Sequence, residues 1–312
     1  MSFNKANAAR YGVHSIDHFA LTVPDLAEAY RFLTAFGLDV RQTAEGLELR
    51  CAGDAHCWAR VAGAGPKRLA YLSLNCHGDE LEAIKAQAFS QGARPAVAAP
   101  AAKAPDEGFW CLDPDGNLLQ IKAGPKTSPH TKSRNACVQV AAGQRGALGR
   151  SARTAVKPAR LSHVLLFTTD LERSLAFYAN ALGLYLSDRS RDIVAFMHAR
   201  HGSDHHLLAF VQDAAPGWHH SAWDVPGVEE VGSGSEQMRA AGYMEGWGVA
   251  RHTLGSNYFY YGRDPWGSFW EYSAHIDYVP AGYDWPAGDY PPDDALYMWG
   301  PEMPAYFVLN TG

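Results

Sequence analysis

Histidine is concentrated in one stretch of this 312-residue sequence, where nine of fourteen lie between His163 and His275. Imidazole ligates transition metals and also moves protons near neutral pH. Four of these histidines form the adjacent pairs His205–His206 and His219–His220. Neighbouring side chains of a strand face opposite ways, so only one of each pair can point into a shared site. A carboxylate, Glu271, follows in the run FWEY. Two imidazoles and one carboxylate, all from strands, can occupy one face of a divalent metal and leave the opposite face open. Fe(II), Mn(II) and Zn(II) all suit such donors, so residue type alone does not choose the metal.

The elements that must position these residues come in two copies of one pattern. Residues 17–40 read DHFALTVPDLAEAYRFLTAFGLDV, and residues 162–186 read SHVLLFTTDLERSLAFYANALGLYL. Each has a histidine at the start of an apolar alternation (His18, His163) and an Asp-Leu seven residues on (Asp25, Asp170). An amphipathic stretch then stops at a Gly-Leu pair (Gly37-Leu38, Gly183-Leu184). That order predicts a strand, a helix capped by aspartate, a glycine stop and a return strand. Each copy closes on Asp-Pro-x-Gly turn chemistry followed by a strand, in DPDGNLLQI (113–121) and DPWGSFWEY (264–272). Between them lie the short strands LELRC, HCWARV and LAYLSL in the first copy, and IVAFMHA, HLLAFVQ and HHSAWDV in the second. The expected class is α+β, with each half built from paired βαβββ modules.

Aligning the copies separates a working site from a scaffold. Where the second has His163, His220 and Glu271, the first has His18, Tyr71 and Gln120. Tyrosine and glutamine bind metals poorly, so a metal, if bound, belongs to the second half. The expected division is residues 1–130 as an N-terminal domain without metal, 131–158 as a linker, 159–280 as a catalytic metal-binding domain, and 281–312 as a tail. The linker is rich in Ala, Gly, Lys and Arg and is expected to be extended and partly mobile. The tail is rich in Trp, Tyr and Pro, which fits a segment covering a cleft mouth or contacting another subunit.

Bulk properties narrow the function. A formal charge of −6 gives no reason to expect nucleic acid or an anionic membrane as partner. No apolar run approaches the roughly 20 residues of a membrane helix, and the start lacks a secretory h-region. Cys51, Cys57, Cys76, Cys111 and Cys137 show no CxxC spacing, which argues against both a disulfide framework and a thiolate zinc site. A cytoplasmic protein with small buried cysteines is expected.

Four segments carry a specific resemblance: SHVLLF at His163, HHLLAF at His206, WHHSAW at His220, and RHTLGSNYFYYGRDPWGSFWEY over residues 251–272. The chain resembles the type I extradiol dioxygenases of the vicinal oxygen chelate superfamily, the group of the catechol 2,3-dioxygenases and 2,3-dihydroxybiphenyl dioxygenases. Tyr260 is a mild departure, since an aliphatic residue or Phe is more usual there. The resemblance implies two tandem vicinal-oxygen-chelate domains, each a curved, partly closed mixed sheet around a cavity. It makes His163, His220 and Glu271 the ligands of Fe(II), with Mn(II) possible, and it joins the repeat in favouring His220 over His219. By the same resemblance His206, rather than His205, is the acid/base, expected to titrate near neutral pH, while His252 and Tyr261 hydrogen-bond the substrate oxygens. The implied partners are a catecholic small molecule and O2, the implied product is of the muconic-semialdehyde type, and a homo-oligomer is expected. His18 and His56 become relics at the places of His163 and His206. His198, His201, His205, His219 and His275 are expected to be ordinary strand or surface residues. The competing readings are a Zn- or Ni-dependent glyoxalase-like isomerase or epimerase, and a sequestering protein of the bleomycin-binding kind.

Overall fold

A computed structural model describes residues 9–63, 65–98, 107–134, 136 and 139–312. The first half runs β1 (Ser15–Thr22), α1 (Leu26–Ala35), β2 (Asp39–Gln42), β3 (Leu47–Arg50) and β4 (Ala59–Ala62). It repeats as β5 (Arg68–Cys76), α2 (Leu81–Ser90), β6 (Arg94–Pro95), β7 (Phe109–Leu112) and β8 (Leu118–Ala123). The second half opens with β9 (Arg160–Thr168), α3 (Leu171–Leu182), β10 (Leu184–Ser190), β11 (Val194–Ala199), β12 (Ser203–Asp204) and β13 (Leu208–Gln212). It continues with β14 (Gly217–Asp224), α4 (Val228–Ala240), β15 (Gly246–Arg251), β16 (Tyr258–Arg263) and β17 (Phe269–Ala274). The tail adds β18 (Tyr278–Val279), β19 (Gly288–Asp289) and the single turn α5 (Pro292–Ala295).

The expected local signals act where the sequence put them. Asp25 accepts from the amides of Ala27 and Glu28 at the start of α1, and Asp170 accepts from that of Arg173 at the start of α3. Gly183 ends α3 with φ of 70°, the left-handed conformation that glycine adopts without strain. In the two closing turns Asp113 accepts from the amides of Asp115 and Asn117, and Asp264 from those of Trp266 and Ser268.

Both halves share one strand order. The first sheet reads β2-β3-β4-β1-β5-β8-β7-β6, and the second, read from its β10 end, places β10-β11-β13-β9-β14-β17-β16-β15 in the equivalent order. Parallel and antiparallel pairings also correspond. Strand β1 runs parallel to β4 as β9 does to β13, and β5 runs parallel to β8 as β14 does to β17. The register equates individual residues as well. Tyr71 pairs with Ala20 and Gln120 with Ser73, while His220 pairs with Leu165 and Glu271 with Ala222, two β-sheet positions related in the same way to His18 and His163. These are tandem α+β domains with curved mixed sheets that are not closed.

One core cluster crosses the boundary between the halves. Phe19 packs on Trp218 with ring centroids 4.7 Å apart, and Phe36 stacks on Tyr272 at 4.1 Å. The Tyr272 hydroxyl donates to the Phe36 carbonyl at 2.8 Å, so a buried phenol is satisfied by the other half's backbone. Residues 131–158 carry no strand among those described, and the chain is tied down just before this stretch and near its end. The Ser128 hydroxyl donates to the His14 carbonyl, and buried Val156 donates its amide to Gln237. Cys51, Cys76 and Cys111 are buried free thiols and Cys57 is half-buried, whereas Cys137 lies outside the described residues. Among the described residues no helix is long and apolar enough to cross a membrane.

Candidate metal centre

Strands β9, β14 and β17 are neighbours at the middle of the second sheet, and each contributes one side chain to a single point. His163 Nε2 lies 3.3 Å from Glu271 Oε2, and His220 Nε2 lies 3.5 Å from the same oxygen. One ligand atom from each of the three residues falls within 4.8 Å of the others, and all three side chains are buried. His220 Nε2 and Glu271 Oε2 have no hydrogen-bond partner among the described residues. Buried polar atoms without partners are costly, and a bare imidazole nitrogen facing a bare carboxylate oxygen is the chemistry of a cation site. The donor set fits a divalent metal on this ground. The second carboxylate oxygen is held by Asn257, whose amide nitrogen donates to Glu271 Oε1 at 2.9 Å. No sequence signal singled out Asn257, which lies in the loop before β16.

The equivalent place in the first half is closed. His18 Nε2 meets the Tyr71 hydroxyl at 2.7 Å, and His18 Nδ1 meets Asp17 at 2.6 Å. Gln120 accepts from Ser73 and donates to the Glu107 carbonyl. Trp110, which pairs with Gln120 as Tyr261 pairs with Glu271, packs on Tyr71 with centroids 5.2 Å apart. His56 donates from Nε2 to the Asp17 carbonyl at 2.7 Å.

Beside the three donors opens a cavity of about 200 Å3. Phe196 on β11 and Tyr261 on β16 both line it, although five strand steps separate those strands in the sheet order. On a flat sheet they would stand about 24 Å apart, so the sheet must curl around the cavity. Its walls are apolar, from Leu165, Phe167, Val194, Phe196 and Val211, and the tail closes one side with Pro292, Leu296, Met303, Phe307 and Val308. No lysine or arginine is among the lining residues.

His206 lines the cavity and lies against His163 with ring centroids 4.0 Å apart. Its Nδ1 is 3.0 Å from His205 Nδ1, and His205 Nε2 is 2.7 Å from Asp188. Burial, together with neighbouring His163 and His205, holds the His206 pKa well below the ordinary imidazole range. The expectation that it titrates near neutral pH is therefore corrected: the desolvated ring is a neutral base at pH 7. His252 and Tyr261 meet at 3.0 Å, Nε2 to hydroxyl, on the opposite wall. Burial, with Glu271 nearby, raises the Tyr261 pKa well above its usual value, so the phenol keeps its proton.

Two histidines expected to be ordinary turn out to contact the site. His219 and His205 are fully buried partners of His220 and His206 rather than surface residues. The pairing into adjacent histidines was the signal; the second partner of His219, the Phe307 carbonyl, lies 88 residues along the chain. His198 is buried against Ser187, His201 faces Glu80, and His275, which is not among the cavity-lining residues, adopts a positive φ of 64°.

The chain belongs to the glyoxalase/bleomycin resistance protein/dioxygenase superfamily, whose family model matches residues 15–121 and 160–272. It is 57% identical over 302 residues to Metapyrocatechase 2 from Cupriavidus necator, across 97% of this chain and 93% of that one. Among solved structures it is similar to a Mn(II)-bound glyoxalase from Novosphingobium aromaticivorans, with 24% identity, a TM-score of 0.75, and coverage of 95% and 94% of the two chains. A catechol 2,3-dioxygenase structure superposes with a TM-score of 0.71 at 22% identity, covering 95% of this chain and 98% of that one. At these identities the two structures establish the shared fold.

Proposed function

We propose that this chain is an extradiol dioxygenase that opens the ring of a catechol beside its diol, incorporating both atoms of O2, with one Fe(II) per chain. The observation that carries this reading is the pair of bare, buried donor atoms, His220 Nε2 and Glu271 Oε2, next to an apolar cavity that His163 and His220 line. The 57% identity to a metapyrocatechase, a catechol 2,3-dioxygenase, supports the reaction class. His163, His220 and Glu271 would hold the metal, and Mn(II) suits the same donors. A bound metal would supply Lewis acidity that lowers a phenol's pKa, and open positions at which a diol and O2 meet.

The chain's own residues do the rest. His206, neutral and desolvated, takes a proton from a substrate hydroxyl and returns it later in the reaction, the acid/base role. Tyr261 and His252 present a preorganised hydrogen-bonding pair to the substrate oxygens. Leu165, Phe167 and Phe196 give a flat ring an apolar seat, and the tail keeps water from it. Because the lining lacks a lysine or arginine, a carboxylated catechol would enter without a counter-charge, and the favoured substrate is an uncharged catechol. Residues 1–130 act as the scaffold domain and 159–280 as the catalytic one, joined by 131–158 and covered by 281–312.

The test is anaerobic loading with Fe(II), followed by catechol and air. O2 uptake with a yellow ring-opened product is expected. An enzyme loaded with Fe(II) or Mn(II) that consumes no O2 with any catechol overturns the assignment.

A further inference from the structure

Hydrogen bonds from the tail reach histidines on both walls of the cavity. His219 Nε2 lies 2.7 Å from the carbonyl oxygen of Phe307. A carbonyl only accepts, so His219 carries a proton on Nε2. Its other nitrogen, Nδ1, lies 2.7 Å from His220 Nδ1. One of those two atoms must donate and the other accept. Both rings are buried, where an imidazolium is expensive, so each carries a single proton. With the His219 proton committed to Phe307, its Nδ1 is the acceptor and His220 donates from Nδ1. The nitrogen of His220 then left without a proton is Nε2, the atom that faces Glu271 Oε2.

The opposite wall is built alike. His252 Nδ1 lies 2.6 Å from the Leu296 carbonyl, which leaves Nε2 to accept from the Tyr261 hydroxyl. Phe307 and Leu296 both belong to the segment beyond the second sheet's last repeat strand. A sequence spacing of 88 residues separates His219 from Phe307, so no local rule ties them.

We propose that His219 and the Phe307 carbonyl form a positioning relay that keeps the His220 proton on Nδ1 and directs its Nε2 lone pair at the donor cluster. The tail thereby completes the centre as well as covering it. This rests on reading His163, His220 and Glu271 as metal ligands. His219 lines the cavity beside His220 but is not one of the three donors, and it acts on the centre through His220.

Two variants of the full chain separate the relay from a packing role. Gln, with one amide donor and one carbonyl acceptor, can reproduce both of His219's bonds, and Leu can reproduce neither. Calorimetric titration of the metal-free protein with Mn(II) is expected to show His219→Leu weakened about 10- to 100-fold, the usual range for the group behind a metal histidine. His219→Gln is expected to stay within about threefold of the parent. The nitrogen NMR spectrum of the metal-free parent should show His220 protonated on Nδ1, and His219→Leu should lose that preference. Parental Mn(II) affinity in His219→Leu, or a parental His220 protonated on Nε2, overturns the relay. Should the Leu variant not fold, the parental spectrum and the Gln variant still decide it. A parent that binds no Mn(II) removes the metal-ligand reading alone, because the spectrum reports the His220 proton without metal.

Discussion

Glu271 Oε2 and His220 Nε2 stand 3.5 Å apart in the buried centre of the second sheet, and neither has a hydrogen-bond partner. Two unsatisfied groups at that distance are a standing cost to the metal-free fold, which a cation between them offsets. Added Fe(II) or Mn(II) is therefore expected to raise the thermal midpoint, by the equivalent of about 2.7 kcal/mol when free metal is a hundredfold above its Kd. Glu271→Gln lets the amide donate to His220, so the metal-free variant should be at least as stable as the parent while losing the metal-dependent rise. A Gln variant whose midpoint still climbs with metal would show that Glu271 is not a ligand.

Turnover should separate from metal binding at His206. Its ring lines the cavity, and its Nδ1 is taken up by His205, so replacement removes a proton carrier without touching a donor atom. His206→Asn is expected to bind metal as the parent does and to lower kcat by roughly a hundredfold. Single-turnover measurements with the metal content assayed in the same sample check this. Unchanged kcat would remove His206 from the mechanism.

Charge on the substrate should matter more than size. The cavity wall offers Leu165, Phe167, Val194 and Val211 and no cationic side chain. The arginines flanking the β10–β11 turn are already engaged, Arg189 with Glu172 at 2.6 Å and Arg191 with Asp289 at 3.4 Å. A methyl-substituted catechol is expected to exceed 3,4-dihydroxybenzoate by about a hundredfold in kcat/KM, the penalty for an unpaired carboxylate in an apolar site. Comparable values for the two would show that a counter-charge reaches the ring.

Acid should weaken the junction between the halves through His14. Its ring is buried, with Nδ1 on Ser15 and Nε2 unpaired, and the rings of His77 and His201 lie 4.7 and 6.2 Å away. Burial, then the two other histidines, lower its pKa from 6.5 to about 4. In the unfolded chain His14 takes up a proton below about pH 6.5, whereas the folded chain resists until about pH 4. The unfolded state thus binds more protons in that window, so the contribution of His14 to stability is whole above pH 6.5 and falls as pH drops toward 4. One proton corresponds to a slope of at most about 1.4 kcal/mol per pH unit. Denaturant unfolding of the metal-free protein between pH 7 and 5 should show a shallower slope in His14→Gln. Identical slopes would assign the acid sensitivity elsewhere.

The amino-acid sequence determined the duplicated βαβββ plan and the half that carries the donors. Those features are local: period-two alternation, aspartate caps at Asp25 and Asp170, a left-handed Gly183, and Asp-Pro-x-Gly turns that set Gln120 and Glu271 seven residues further on. Ladder pairing then follows from the repeat, which is why the match of His163 with His18, His220 with Tyr71 and Glu271 with Gln120 is legible in the sequence. Only the tertiary structure decided what surrounds them. Trp110 and Tyr71 fill the first half's cup, Asn257 grips Glu271, and burial takes His206 out of the neutral titration range. The tail's hold on His219 and His252 was equally invisible, because each contact joins segments tens of residues apart through backbone carbonyls that every residue carries. A side-chain pattern announces a strand or a cap; which carbonyl a buried imidazole meets is fixed by packing alone.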